Sequence, residues 1–212
     1  MPDFAIQVVP VTPFQQNCSI AWSEVTKRGV VVDPGGDVSA IRAALDTAGV
    51  TVDAILLTHG HIDHAGGAAE LAAALGVDVV GPHEADKPLL DRLAQQGRQY
   101  GIDDARDVTP TRFLAEGETL EIAGVEFRVL HCPGHSPGSV VFHAESLGFC
   151  FMGDVLFNGS VGRTDLPGGS HETLIRSIRE KLLPLGDEVS FLPGHGSGST
   201  IGYERLTNPF LR

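Results

Sequence analysis

The feature that most constrains the fold of this chain is a cluster of metal-binding side chains at the end of an apolar run. The run Asp53–Leu57 has the composition of a buried strand, and Gly66, Gly67 and an alanine-rich stretch follow the cluster. The cluster offers three imidazoles and one carboxylate within six residues, from His59, His61, Asp63 and His64. These side chains are therefore expected where a strand ends and a helix begins, a place where loops carry chemistry on a rigid scaffold.

The alternative for this cluster is a turn that is rich in histidine but binds no metal. Three imidazoles and a carboxylate so close together are costly to bury without partners. The cluster therefore indicates a metal site.

Three later segments repeat the same form, an apolar strand followed by glycine and a side chain that can bind metal. They are Pro133-Gly134-His135, Gly153-Asp154 and Pro193-Gly194-His195. The glycine lets the backbone turn sharply or approach another segment closely. One such segment is a weak signal, but three of them after strands that could share one sheet edge strengthen the prediction of a metal site. Together with the cluster, they offer five imidazoles and two carboxylates.

Composition and charge exclude several classes of partner. With 42% hydrophobic and 20% charged residues in a chain of 212, we expect one globular domain over residues 1–212. The formal net charge of −12 argues against nucleic acid or an acidic membrane surface, because both reward lysine and arginine. No run approaches the roughly 18–20 apolar residues of a membrane span.

The N-terminal segment and the cysteines indicate a cytoplasmic protein. The segment Met1–Phe4 has neither the basic nor the apolar region of a signal peptide. Three cysteines stand far apart and form no Cys-x-x-Cys pattern: Cys18, Cys132 and Cys150. We therefore predict three buried free thiols, with no disulfide framework and no cysteine–zinc site.

The hydrophobic pattern divides the chain into two strand-rich halves with helices between them. Predicted strands cover residues 4–9, 17–22, 29–33, 53–57 and 77–81, then 119–122, 125–131, 140–143, 149–152 and 189–192. Predicted helices cover residues 38–48, with Asp37 as N-cap, 68–75, about 85–96, and a stretch through Leu174, Ile178 and Leu182 that Pro184 ends. Between residues 82 and 118 the pattern weakens, which indicates a flap near the substrate. Such halves predict two packed sheets with helices on their outer faces.

The motif set resembles the metallo-β-lactamase superfamily over nearly the whole chain. The family pattern HxHxDH appears as His59–His64, and the later ligand positions match His135, Asp154 and His195. This resemblance implies an α/β fold, an αββα sandwich of two mixed β-sheets flanked by helices. It also implies two metal sites with His59, His61 and His135 at the first, Asp63, His64 and His195 at the second, and Asp154 bridging them.

The resemblance implies two divalent metal ions as cofactors. Imidazole and carboxylate ligands suit zinc, which we expect first, and also iron or manganese. A metal-bound hydroxide held by Asp63 and Asp154 would then act as the nucleophile. Asp33 could orient a ligand histidine, or could simply be a residue of the turn Asp33–Gly36, and local sequence leaves both interpretations open. His131 could also support a ligand, although a packed strand residue is the favoured interpretation.

Within the superfamily, several phrases resemble the glyoxalase II group in its short bacterial form. They are His135–Ser139, Gly153–Phe157, Gly159–Gly169 and Asn208–Phe210. This resemblance implies hydrolysis of a glutathione thioester such as S-lactoylglutathione. The chain departs from the full-length form, which has a C-terminal helical domain with basic residues for glutathione. The residues after His195 contain only two basic side chains, Arg205 and Arg212, so the thiol carrier and the substrate-binding residues stay open.

Two other functions remain as alternatives. A persulfide dioxygenase of the same fold holds one iron ion, for which His59, His135 and Asp154 would be the ligands, and Arg163–Asp165 is compatible with that group. A metal-stabilised domain that binds thiol metabolites without catalysis is the second alternative. An antibiotic-hydrolysing β-lactamase is less expected, because those enzymes lack the bridging aspartate. The oligomeric state is open.

Overall fold

The computed structural model describes residues 3–212, so Met1 and Pro2 of the N-terminal segment considered above lie outside it. The first half of the chain forms a five-stranded mixed sheet with the strands in chain order. Its strands are β1 Phe4–Val11, β2 Gln16–Ser23, β3 Arg28–Val32, β4 Thr51–Leu56 and β5 Asp78–Val80. The first three strands pair antiparallel, whereas β3, β4 and β5 pair parallel, so the ends of β3 and β4 lie at the same sheet edge.

The second half forms a six-stranded mixed sheet and a separate two-stranded ribbon. The strands in chain order are β6 Thr119–Ile122, β7 Val125–His131, β8 Val140–Ala144, β9 Phe149–Gly153, β10 Leu156–Phe157, β11 Ser160–Val161, β12 Ser190–Pro193 and β13 Ser199–Thr200. The large sheet has the order β13-β12-β9-β8-β7-β6, and β10 pairs with β11. Strands β9 and β12 are parallel neighbours, so their ends also meet at one edge.

The apolar residues form three layers, which confirms the predicted αββα sandwich. The middle layer joins the inner faces of the two sheets through Val30, Val32, Leu56, Phe127, Phe142 and Phe151. One outer layer packs helices against the first sheet, and its members include Ile20, Val31, Ile55, Ile41, Leu45 and Leu71. The other outer layer packs helices against the second sheet, and its members include Val141, Met152, Leu174, Ile178 and Leu182. Alternating burial along β7 follows directly from this arrangement, because only one strand face meets the middle layer.

The helices are shorter than the predicted pattern in two places. They are α1 Val38–Ala48, α2 Ile62–Ala65, α3 Ala68–Leu75, α4 Lys87–Leu90, α5 Leu93–Tyr100, α6 His171–Ser177 and α7 Ile201–Thr207. The predicted helix near 85–96 is instead a 3₁₀ turn Glu84–Asp86 followed by α4 and α5, and α5 extends into a segment expected to be irregular. Pro184 does not end an α-helix, because α6 stops at Ser177 and a π-helical turn and a 3₁₀ turn follow. None of these helices is long and apolar enough to span a lipid bilayer within residues 3–212.

The prediction for Asp37 was wrong in its chemistry. Asp37 does occupy the position before α1, but its backbone is left-handed at φ 47° and its side chain makes no capping hydrogen bond. Its carboxylate instead accepts a hydrogen bond from the backbone N–H of Thr12 at 2.7 Å. A tertiary contact to the β1–β2 turn has therefore replaced the local cap.

The segment 82–118 is anchored at several points. Buried residues along it are Asp86, Leu90, Leu93, Val108 and Leu114, and Thr111 donates a backbone hydrogen bond to Val79 of β5. The flap and the single-domain assignment stay predictions, and these contacts limit any flap to the exposed parts of the segment.

Candidate metal centre

All seven predicted ligands converge at one edge of the sandwich, where strands of both sheets end. The loop after β4 carries His59 and His61, the loop after β7 carries His135, and the end of β12 leads to His195. A short helix, α2, begins at Ile62, ahead of the helix predicted over residues 68–75. Asp63 and His64 therefore lie within that short helical turn, and His61 occupies its N-cap position.

The first group consists of His59, His61 and His135. One nitrogen from each ring lies within 4.8 Å of the other two. The closest pair is His61 Nδ1 and His135 Nε2, at 2.9 Å. His59 and His135 are almost fully buried, and His61 is 8% exposed. Three imidazoles from two separate loops thus face one point.

The second group consists of Asp63, His64 and His195, again with mutual distances within 4.8 Å. Oδ2 of Asp63 lies 3.2 Å from Nε2 of His195 and 3.9 Å from Nε2 of His64. The His195 side chain is 28% exposed, in contrast to the buried His64. The second group is therefore the one that opens toward solvent.

Asp154 lies between the two groups. Its Oδ1 is 3.3 Å from His64 Nε2, and its Oδ2 is 3.5 Å from His135 Nε2 and 3.6 Å from His195 Nε2. It follows Gly153 at the end of β9, where φ is +53°. A side chain on Gly153 would collide with Thr58, with an added Cβ only 2.6 Å from Oγ1. Glycine therefore lets Asp154 approach the histidine loop this closely.

Hydrogen bonds on the far side of each ring fix which nitrogen faces the centre. The backbone oxygens of Arg163 and Phe14 can only accept, so Nδ1–H of His135 donates to Arg163 at 2.7 Å and Nδ1–H of His195 donates to Phe14 at 3.3 Å. The carboxylate of Asp33 accepts from Nδ1 of His64 at 2.9 Å. In all three rings Nε2 is therefore the nitrogen that faces the centre and would bind a metal once its proton is released.

His59 is fixed by a relay through Thr58. The hydroxyl of Thr58 donates to Asp33 Oδ2 at 2.6 Å, which uses its only hydrogen. Thr58 Oγ1 must therefore accept from Nδ1–H of His59, 3.0 Å away. This leaves Nε2 of His59 free to bind a metal.

Asp33 lies beside the site and makes several hydrogen bonds there. Its Oδ1 accepts from the Thr58 N–H at 2.7 Å, and its Oδ2 accepts from both the Thr58 hydroxyl and His64. Asp33 also falls within reach of His59 and His64 as a third cluster, but its oxygens are already engaged. The structure thus shows a left-handed turn residue, at φ 53°, whose carboxylate also contacts the histidines.

Three buried atoms at this centre have no hydrogen-bond partner among the described residues: His59 Nε2, His64 Nε2 and Asp154 Oδ1. His64 Nε2 and Asp154 Oδ1 face each other at 3.3 Å. Unpartnered buried polar atoms cost free energy, and imidazole and carboxylate are ligands of zinc and iron. The arrangement therefore fits divalent metal ions at both groups.

Asp63, Asp154 and the histidines beside them shift one another's pKa values. Burial lowers the pKa of His64, but Asp154 and Asp63 outweigh it and hold that pKa well above its usual value. The pKa of His195 is raised, because Asp63 and Asp154 outweigh burial there too. Burial alone would raise the pKa of Asp154, but His64, His135 and His195 hold it well below its usual range. Without a metal, protons therefore supply the positive charge that these carboxylates require.

Two histidines of the first group have lowered pKa values, in contrast to His64 and His195 of the second group. Burial lowers the pKa of His59 well below its usual value, and neighbouring histidines lower it further. Burial and His135 together lower the pKa of His61 to about 3. His59 and His61 are therefore neutral near pH 7, the form that binds a metal.

Several supporting residues carried no clear sequence signal. The Asn17 side chain donates to Pro193 O at 3.0 Å and Gly196 O at 2.8 Å, which holds the loop of His195. Gln16 is fully buried with its Nε2 3.4 Å from His64 Nδ1. Their roles arise from the pairing of residue 16 with residue 195, which local sequence does not reveal.

His131 and the three cysteines have mainly packing roles. His131 stacks on His83 at 4.0 Å between ring centroids, and its Nε2 contacts Pro137 O at 2.9 Å. His131 is thus a packed residue that also touches the loop of His135, so both open interpretations describe part of its role. All three cysteines are free and buried, as predicted, and burial raises the pKa of Cys132 to about 12.

Comparison with known proteins decides the family. A model of the metallo-beta-lactamase superfamily matches residues 11–195, which span every predicted ligand. The chain belongs to the metallo-β-lactamase superfamily. It therefore has a metallo-hydrolase fold with a His/Asp metal-binding cluster.

Three proteins are similar to this chain in sequence or structure over nearly its whole length. Hydroxyacylglutathione hydrolase GloC of Haemophilus influenzae is 44% identical over 207 residues, which cover 97% of each chain. The protein TTHA1623, whose crystal structure was determined in a di-iron-bound form, shares 40% sequence identity with this chain. Its structure superposes with a TM-score of 0.86 over 97% of this chain and 100% of that one. The BLEG-1 B3 metallo-beta-lactamase shares 37% sequence identity with this chain. Its crystal structure superposes with a TM-score of 0.89 over 98% of this chain and 99% of that one. The resemblance expected from the motifs is confirmed.

Proposed function

We propose that this protein is a dinuclear metal-dependent thioesterase that hydrolyses S-acylglutathione, with S-lactoylglutathione as the representative substrate. The observation that carries the proposal is the position of Asp154, with one oxygen toward His64 and the other toward His135 and His195. A carboxylate between two complete ligand groups is suited to hold two ions together. The likeness to hydroxyacylglutathione hydrolase GloC supports the choice of substrate.

Within this proposal, His59, His61 and His135 hold the first ion, and Asp63, His64 and His195 hold the second. Zinc fits this ligand set, and the di-iron relative makes iron an equal candidate for the test. When bound, two divalent ions lower the pKa of a water toward about 7 and polarise a carbonyl oxygen. Asp63 and Asp154, whose Oδ2 atoms lie 3.2 Å and 3.6 Å from His195 Nε2, would be the carboxylates that hold that water.

The choice of glutathione as the thiol carrier rests on the likeness to hydroxyacylglutathione hydrolase GloC. Arg163 is exposed at the rim, where it pairs with Asp165, and its backbone oxygen is tied to His135. Arg205 pairs with Asp187. Both cations are thus already engaged with aspartates, and the choice of thiol carrier rests on the relative. A cytoplasmic location also stays a prediction, supported by the three free thiols.

The second candidate is the mononuclear iron persulfide dioxygenase. It would use His59, His135 and Asp154, and the di-iron relative supports iron at such a site. The completeness of the second group favours the hydrolase, because a one-iron enzyme has no need of Asp63, His64 and His195 facing one point. The same completeness argues against a metal that only supports the fold, since structural zinc sites are closed and usually contain cysteine.

A substrate panel on metal-analysed protein tests the proposal. The panel contains S-lactoylglutathione, a coenzyme A thioester, a β-lactam, and glutathione persulfide with an oxygen electrode. We expect two metal ions per chain, hydrolysis of the glutathione thioester above the other substrates, and loss of turnover in Asp154→Asn. One iron per chain with oxygen uptake and no thioester turnover would establish the dioxygenase instead, and preferred β-lactam hydrolysis would show that the substrate class is wrong.

A further inference from the structure

A fully buried carboxylate outside the ligand set connects the two loops that carry the first group. Asp86 has no solvent exposure and lies at the end of the 3₁₀ turn before α4. Its Oδ2 accepts hydrogen bonds from the Gly60 N–H at 2.8 Å and from the Ser136 hydroxyl at 2.7 Å. Its Oδ1 accepts from the Gly138 N–H at 2.6 Å. One carboxylate therefore binds the loop of His59 and His61 and also the loop of His135.

The backbone around Asp86 is arranged for this close approach. A Cβ added to Gly138 would lie 2.7 Å from Asp86 Cγ, and one added to Gly60 would lie 3.0 Å from Leu89 Cβ. Gly138 is also held from its other side, because its backbone oxygen accepts from the His83 N–H at 3.2 Å. Asp86 is fixed in turn by its own N–H, which donates to His83 O at 3.0 Å. Both loops thus meet a rigid support.

Asp86 is the counterpart of Asp33 on the opposite side of the histidine loop. Asp33 accepts the N–H of Thr58, and Asp86 accepts the N–H of Gly60, so the two carboxylates flank His59. Asp33 reaches His64 of the second group, whereas Asp86 reaches the neighbours of His135. Burial raises the pKa of Asp86, and the hydrogen bonds from Ser136, Gly60 and Gly138 oppose that effect.

We propose that Asp86 is a positioning residue that sets the distance between the His59–His61 loop and the His135 loop, and so controls the affinity of the first metal group. This role rests on the dinuclear site of the proposed function. In this role, the start of the segment 82–118, which we expected to be a flap, supports the metal centre.

The test is zinc affinity, measured on metal-free full-length protein by competition with a chromophoric chelator, without any substrate. Asp86→Asn keeps the size of the side chain but leaves one acceptor oxygen for two backbone N–H groups, so one of them loses its partner. We expect one of the two zinc-binding steps to weaken by about 10–100-fold, the usual range for residues that support metal ligands, while the other step changes little. Ser136→Ala removes the hydroxyl that donates to Asp86 and contacts Ser139 Oγ at 2.7 Å, but it keeps both backbone N–H groups that bind Asp86. It should weaken the same step less, which keeps the test usable if Asp86→Asn folds poorly.

Two further variants make the result specific. Glu204 is an equally buried carboxylate that accepts from the Gly159 N–H, Asn208 and Ser199, and it contacts neither the loop of His59 and His61 nor the loop of His135. Glu204→Gln is the matched control and should destabilise the fold without changing the zinc step that Asp86→Asn weakens. Asp33→Asn should weaken both zinc steps, because Asp33 contacts His64 of the second group directly and His59 of the first group through Thr58.

Unchanged zinc steps in a folded Asp86→Asn protein would overturn the proposal, as would an equal loss in Glu204→Gln. Equal weakening of both zinc steps by Asp86→Asn, the pattern expected for Asp33→Asn, would also contradict it. Because thioester turnover is not measured, failure of the substrate assignment would leave this result unaffected. A single zinc step in the wild type would instead count against the dinuclear site itself.

Discussion

At the residue scale, the site orients its imidazoles through contacts on the side of each ring that faces away from the centre. Nδ1 of His59, His64, His135 and His195 each meets an acceptor, whereas His61 is reversed and points its Nδ1 inward. Little ring rotation is then needed when a metal binds. Affinity should therefore depend on the acceptors as well as on the ligands.

Asp33 provides the first prediction, because it is one of the few acceptors that a substitution can remove. Asp33→Asn leaves one acceptor oxygen for the Thr58 N–H, the Thr58 hydroxyl and His64. We expect a loss of about 1–3 kcal/mol in the free energy of unfolding from the buried donor left unpaired. Urea denaturation of metal-free protein measures this loss. The control is Asp37→Asn, an exposed carboxylate that accepts one backbone N–H, and an equal loss in the two variants would contradict the assignment.

The ligands could be predicted from sequence, whereas their supports could not. His59, His61, Asp63 and His64 are close in sequence, and the glycine-flanked His135, Asp154 and His195 repeat a recognisable form. Asp33 was ambiguous because a turn aspartate and an acceptor of tertiary hydrogen bonds have the same local sequence. Asp86 and Gln16 gave no signal, because their roles arise only when distant segments approach each other.

At the element scale, the position of helix α6 fixes the loop of His135. Gly134 has φ +139°, and an added Cβ would lie 2.3 Å from the Leu174 backbone nitrogen. The backbone of α6 therefore lies directly against the loop. Ser177 adds a hydrogen bond from its hydroxyl to Pro133 O at 2.8 Å.

Gly134→Ala should destabilise the protein more than a glycine substitution with similar backbone strain. Strain at a positive φ costs about 1–3 kcal/mol, and overpacking against Leu174 adds about 1–3 kcal/mol. Gly186→Ala is the control, because Gly186 has φ +116° with open space around it. Chemical denaturation should show the larger loss of unfolding free energy for Gly134→Ala. Equal losses would mean that α6 does not press on this loop.

The π-helical turn after α6 also contacts the strand that leads to His135. It places Lys181 Nζ 2.6 Å from His131 O and 2.7 Å from Glu116 Oε2, and Glu116 accepts the His131 N–H at 2.7 Å. Burial would raise the pKa of Glu116, but the hydrogen bonds from Lys181 and His131 outweigh it and lower that pKa below its usual 4.5. The link is thus formed by ionised Glu116.

The stability that Glu116 contributes should depend on pH. Because its folded pKa is lowered, the contribution is present above about pH 4.5 and is lost as the pH falls through the folded value. The difference in unfolding free energy between wild type and Glu116→Gln should therefore shrink below pH 4.5. The pair is partly exposed, so the difference at neutral pH should be at most about 1 kcal/mol. A difference that stays constant from pH 7 to pH 3 would contradict this account, and Glu121→Gln on the exposed face of β6 is the control.

At the scale of the whole molecule, the two sheets meet at the metal centre, and each sheet contributes to both groups. His59 and His64 follow the first sheet, while His135, Asp154 and His195 follow the second. The three apolar layers could be predicted from strand and helix patterns, since each layer repeats a local period. The extension of α5, the short strands β10, β11 and β13 and helix α7 were not predicted, because their local patterns are weak and tertiary packing decides them.

Removing the metal should therefore destabilise the whole fold and not only a loop. A ligand that binds the folded state at 100 times its Kd contributes about 2.7 kcal/mol. We expect chelated protein to unfold at a lower temperature and zinc to restore the original midpoint. Magnesium is the control and should not restore it, because it prefers oxygen ligands. Identical midpoints with and without zinc would show that no metal links the two sheets.

The central claim is that both ligand groups take part in one hydrolytic site, and stepwise reconstitution tests it most directly. Metal-free protein would receive zinc in increments while hydrolysis of S-lactoylglutathione is followed at each step. We predict little turnover at one equivalent and a rise to full activity as the second equivalent binds. Full activity at one equivalent, with no further change at two, would contradict the account.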